Sequence, residues 1–170
     1  MARKPAHIDH LLKTWSYEPG QPVVRRVQGA DGRDVLQMRV DMGVLQMETT
    51  GRPDGERPGD CDTYYDLLVA TAFEEGADFA LDEVRCSEVD REFYQFYHRR
   101  ICWLALREYE QAVEDAEHTL RLMDFTTPNA PDEQWALLHE QYRPFVLFHR
   151  IQASALLELE ASEPGKAVEQ

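Results

Sequence analysis

The tightest constraint in this chain is the spacing of apolar residues between positions 108 and 123. Tyr109, Val113, Ala116, Leu120 and Met123 recur at intervals of three and four, which marks one face of a helix, and Ala112 adds a small neighbour to that face. Small side chains let a second helix approach closely. The connection at Leu106-Arg107 is short enough to make the two helices antiparallel. The stretch before it supplies a long partner, with Phe93, Phe96, Tyr97, Arg100, Ile101 and Leu104 on one stripe and Tyr94 and Trp103 off it. An apolar surface wider than one stripe must contact two neighbours. The pattern predicts a stacked helical hairpin.

Other helices flank it. Asp62 can cap a helix that carries Tyr65, Leu68, Val69 and Ala72 and ends at Gly76. Ser87 followed by Asp90 resembles a capping box for the long helix. After a loop at 126–131, Pro131 fits a first helical position, with Asp132 and Glu133 favourable in the first turn. Trp135, Leu138, Tyr142, Val146, His149, Ala153 and Leu156 then share a face. Pro144 removes a backbone donor, which predicts a kink or break near Tyr142.

The first segment reads differently. Residues 8–14 suit a short helix, and 23–27, 35–40 and 44–48 suit strands, with Asp31-Gly32 as a tight turn. In the second strand Leu36, Met38 and Val40 alternate with Gln37, Arg39 and Asp41, so one face should be apolar and the other wet. Residues 51–59 are too rich in proline and glycine to extend a strand. Three short strands alone are marginal and need a helix to cover them. The expected fold class is α+β, mostly α: a small antiparallel sheet in residues 1–60 packed on a helical-hairpin segment in residues 61–170.

Charge sharpens that division. The formal net charge is −14, and the nine Lys/Arg and nine Asp/Glu of residues 1–60 cancel, so the excess acid lies wholly in residues 61–170. A surface this acidic repels phosphate backbones and suits either solvent or a basic partner. No run approaches a membrane span, and no apolar stretch follows the basic first residues to make a secretory signal. Three cysteines without CxxC spacing read as free thiols in a reducing cytoplasm.

Chemical motifs are sparse. There is no GxSxG, Walker loop or GxGxxG, and His139-Glu140 fails as HExxH because Arg143 stands where the second histidine should be. His98, Cys102, His118, His139 and His149 lack ligand spacing, so no catalytic residue, metal or cofactor is expected. Gly51-Arg-Pro-Asp-Gly55 reads as a structural turn, with a binding loop as the alternative. The more informative polar set is His98, Arg99, Arg100, Arg143 and Arg150, cations among aromatics in an acidic half. They either pair with Glu92, Asp115 or Glu140 or form a pocket for a partner's carboxylate. The candidate partner-binding residues are Tyr97, Arg100, Trp103, His139, Tyr142 and Arg143.

Residues 109–120, Tyr-Glu-Gln-Ala-Val-Glu-Asp-Ala-Glu-His-Thr-Leu, resemble the second helix of a tetratricopeptide repeat, and residues 153–170 resemble a first helix, a turn and the start of another second helix. Ala112 and Ala167 would then be equivalent, 55 residues apart against a family period of about 34, so the array is irregular. More broadly, residues 41–48, 51–55, 96–100 and 139–145 are similar to the N-terminal region of bacterial UvrB/UvrC-motif-containing proteins. That resemblance implies tetratricopeptide-like helices followed by a C-terminal helical hairpin that mediates protein contacts. No such hairpin precedes Gln170, and Gly165–Gln170 begins a helix with about one turn left, so the chain is expected to be part of a longer one. The implied role is a non-catalytic interaction or scaffold module with protein partners, in a homo-oligomer or a larger assembly. One alternative is a small-molecule or metal-dependent enzyme with a site among the helical His and Arg residues. Another is a nucleic-acid-linked adaptor using Arg25, Arg26, Arg33 and Arg39.

Overall fold

A computed structural model describes residues 7–162; the last turn expected at Gly165–Gln170 lies outside the described residues. Gly32 takes φ +85°, which glycine adopts without strain, and turns β1 (Val23–Gln28) back onto β2 (Asp34–Val40). β3 (Gly43–Glu48) follows, giving an antiparallel sheet of order β1-β2-β3 in which Met38 lies opposite both Val24 and Leu45. Leu36, Met38 and Met47 are buried on one side of it. The expectation of a wet opposite side is corrected at Arg39, which is only 8% exposed. Its guanidinium donates to the carbonyls of Trp15, Val40, Asp41 and Gly43. The residue that ends the short helix α1 (Asp9–Thr14) thus reaches the sheet, and Arg39 satisfies backbone oxygens that strand pairing leaves free.

The helices begin where acceptors are available. α2 (Tyr64–Glu75) is capped by Thr63, one residue beyond the expected Asp62, and stops at Gly76 as expected. α3 (Glu83–Ala105) starts more than a turn before Ser87, because Asp82 accepts the Arg85 N–H and caps it first. After Leu106, Arg107 takes φ +60° and the chain reverses into α4 (Tyr109–Thr126). Asp132 caps α5 (Glu133–Glu140), so Pro131 lies outside that helix and does not open it. The chain breaks at Gln141-Tyr142 and resumes as α6 (Arg143–Ser162), where Pro144 sits in the first turn and needs no helical donor.

Side-chain pairs fix the directions. Glu92 meets His118 and Arg99 meets Asp115, so α3 and α4 are antiparallel. Glu117 meets Arg150 and Asp124 meets Arg143, so α6 is antiparallel to α4 and parallel to α3. The sheet covers the C-terminal part of this layer: Leu36, Met38 and Met47 share a core with Cys102, Trp103, Ala112 and Ala153. A second core joins Tyr64, Leu68, Leu81, Val89 and Leu122, and a third joins Ala116, Met123 and Val146. α4 contributes Ala112 to the first core and Ala116 to the third, small side chains that let helices approach closely. No helix among the described residues is long and apolar enough to cross a membrane.

Candidate functional site

α3 and α6 run side by side, and α5 closes one end, so an open groove forms between them. It has a volume of about 790 Å³ and is lined by Phe93, Tyr94, Tyr97, Leu138, Tyr142, Phe145 and Val146, with Asp90, His139 and Arg100 as its polar members. The helical period explains the lining: residues 90, 93, 94, 97 and 100 of α3 fall on one face, as do 138, 139 and 142 beyond it. The rings brace one another. Phe93 meets His139 edge-on with centroids 5.0 Å apart, and Tyr97 and Phe145 approach to 6.3 Å across the groove.

Four of the six residues expected to bind a partner come together here: Tyr97, Arg100, His139 and Tyr142. Trp103 does not, and its assignment is corrected. It is 2% exposed, packs under the sheet with Leu36 and Met38, and faces away from the groove toward Arg99 and Asp115. Arg143 also stands off the groove. It binds Glu140 through Nε at 2.6 Å and Asp124 through Nη1 at 2.8 Å, which ties the start of α6 to α5 and α4. Glu140 holds the Arg143 guanidinium above its usual pKa, and Arg143 in turn holds the Glu140 carboxyl below the carboxylate range. This is the Glu140 pairing that the sequence offered as one option. Phe93, Tyr94, Leu138, Phe145 and Val146 line the groove but were not assigned to it. Their i, i+3, i+4 spacing was visible, but not the face each one takes.

The charged groups at the groove's two ends differ. Asp90 faces His139, Nε2 to Oδ1 at 2.9 Å, and is half open to solvent. Arg100 is 1% exposed and touches no carboxylate among the described residues. Its Nη1 donates to Thr119 Oγ1 at 3.0 Å, and its Nε donates to His149 Nδ1 at 3.3 Å. Burial draws Arg100 down to about 10, still a cation at neutral pH, with the field of Asp115 opposing the fall. Burial, with Arg100 adding to it, takes His149 down to about 4, so the ring is neutral and accepts.

Elsewhere the buried charges are matched. Arg99 binds Asp115 through two bonds of 2.9 and 2.7 Å and donates to the carbonyls of Glu48 and Gly51. Glu92, fully buried, accepts the first backbone N–H groups of α2 from Tyr64 and Tyr65, and also His118 Nε2 at 3.0 Å. Arg52, 2% exposed, binds Glu88 at 2.8 Å, which makes the turn at residues 51–55 a structural clasp on α3. Among the described residues no three His, Cys, Asp or Glu side chains converge to hold a metal. The four N-terminal arginines are occupied within the chain. Arg25 stacks on Trp15 at 4.1 Å, Arg26 pairs with Asp34 and Glu108, Arg33 pairs with Asp31 and Glu48, and Arg39 is buried on carbonyls.

The chain matches no family model, no curated protein and no solved structure. What the groove can do follows from its own geometry: it offers an apolar trough with a cation in its floor.

Proposed function

We propose that this chain is a non-catalytic protein-interaction module, tetratricopeptide-like in its α3–α4–α6 layer, and that the groove and the adjoining face of α6 receive a protein partner. The observation that carries this reading is apolar surface left uncovered where helices should pack. Tyr94 is 60% exposed, Leu138 53%, Phe148 58% and Ile151 63%. Large side chains at this exposure in one neighbourhood mark a contact surface, whereas scattered single ones do not. Parallel first helices lining a shared trough are how stacked helical repeats build extended binding surfaces. The resemblance to UvrB/UvrC-motif-containing proteins belongs to the same proposal, since it implies a role in protein contacts within a larger assembly. So does a cytoplasmic location, which is supported by three free cysteines, two of them buried.

The test is affinity capture from the native cell with the full chain, run beside a Phe148→Ser/Ile151→Ser variant that folds normally. A partner retained by the wild type and lost by the variant supports the module reading. Equal capture by both, or a wild type that captures nothing, overturns it.

A further inference from the structure

Arg100 is a buried cation with no ion-pair partner among the described residues. Asp115 lies close enough to be felt, but both of its oxygens are bound by Arg99, so this buried trio of charges sums to +1. The groups that do reach Arg100, Thr119 and His149, are neutral acceptors. Burying a guanidinium without an ion pair is expensive, and a fold that needed only its shape would place an apolar residue there. The cost is incurred in the floor of an open apolar groove that Arg100, itself 1% exposed, helps to line.

We propose that the groove binds an amphipathic peptide segment of another protein, whose aromatic or aliphatic side chains fill the trough and whose Asp or Glu carboxylate docks on Arg100. The proposal rests on the interaction-module reading above and names the chemistry of the occupant. Three observations favour a peptide. Asp90 lies ten residues before Arg100 on α3, about 15 Å along the helix, so the groove carries opposite charges at its ends and suits a segment with a cation at one end and an acid at the other. The apolar surface continues beyond the groove through Phe148 and Ile151, farther than a small acid could cover while its head sat on Arg100. The net charge of −14 repels a second copy and any polyanion but favours a single acid flanked by Lys or Arg.

The test uses a displayed random-peptide library panned against the full chain. Recovered peptides should share one fixed Asp or Glu among large apolar residues. Replacing that acid by its amide should weaken binding to the wild type about tenfold or more and leave binding to an Arg100→Gln variant unchanged, the signature of a direct contact. Arg100→Lys should recover part of the affinity. If Arg100→Gln does not fold, the wild type still decides: the Nε–H resonance of Arg100 should shift with the acidic peptide and stay put with its amide. Peptides without a fixed acid, or with an acid whose replacement changes nothing, overturn the proposal. It is equally overturned if sodium dodecanoate moves the Arg100 resonance and no selected peptide does, or if the wild type sediments as a dimer that protects the groove. If the cell-capture experiment retains its partner while the library yields no peptide, the carboxylate anchor falls and the module reading stands. If both fail, both readings fall.

Discussion

Arg99 and Arg100 are neighbours on one helix, are buried to nearly the same degree, and have opposite surroundings. Arg99 turns toward the sheet, where two carboxylate oxygens and two carbonyls take its protons. Arg100 turns toward the groove and finds a hydroxyl and a neutral imidazole. The same side chain is thus a fastener on one flank of α3 and an unmet charge on the other. The wider molecule repeats the contrast. The flank holding Glu92, Arg99, Asp115 and His118 sets its buried charges against one another, while the flank holding Tyr94, Tyr97, Tyr142 and Phe145 is open and apolar. The fold therefore treats two adjacent buried guanidiniums differently, pairing one with a carboxylate and leaving the other on neutral acceptors.

The largest effect should come from breaking the fastener. Arg99→Met leaves Asp115 charged, buried and alone, and strips donors from Glu48 and Gly51, so it should cost about 4 kcal/mol in urea unfolding at pH 7. Arg100→Met removes a charge with no acid to abandon and should change stability by less than about 1 kcal/mol in either direction. Equal losses from the two variants would erase the contrast. Glu92→Ala comes next, at about 3 kcal/mol, because the first N–H groups of α2 and His118 would lose their acceptor. Amide exchange at Tyr64 and Tyr65 should quicken with it. Unchanged exchange there would mean that Glu92 does not hold the start of α2.

Much of this was readable from the chain because it is local. The three strands follow from alternation and from Asp31-Gly32, the α3–α4 hairpin from period and small residues, and the break after α5 from Pro144. What escaped was non-local. Nothing near Arg39 in sequence shows that Trp15 will arrive over it, whereas the cap at Asp82 is local and competes with Ser87 only five residues on. Tyr97, Arg100, His139 and Tyr142 share one groove and Trp103 lies outside it, because a wide apolar stripe does not reveal which flank the sheet will take. Glu140 could be assigned to Arg143 because the two lie three residues apart. Asp115 could not be divided between Arg99 and Arg100, since one step along a helix swings a side chain to a different neighbour.

His149 offers a smaller and more specific test of the groove side. Its pKa falls from 6.5 to about 4 in the folded chain, first through burial and then through Arg100. The folded state therefore favours the neutral ring. The stabilisation this represents is complete above pH 6.5 and is lost as pH falls from there toward 4, because the unfolded chain takes up the proton first. The loss over that window should be about 2 kcal/mol relative to a His149→Gln variant measured alongside. Glu75 and Glu140, whose pKa values are also lowered, titrate in both proteins and cancel in the difference. Parallel pH profiles for the two chains would mean that the fold does not hold the His149 ring neutral.

The smallest stability effect should accompany the largest functional one. Phe148 and Ile151 are 58% and 63% exposed, whereas Val146 on the same helix is 1% exposed and packs against Ala116 and Met123. Val146→Ala opens a cavity in the third core and should cost about 2 kcal/mol. Phe148→Ser and Ile151→Ser should each shift stability by less than about 0.5 kcal/mol, because little of either side chain leaves water on folding. One helix thus carries a face that the fold uses and a face that it does not, and urea unfolding of the three variants separates them. If the two outer substitutions cost as much as the inner one, the outer face is already packed within this chain and has nothing left to offer a partner.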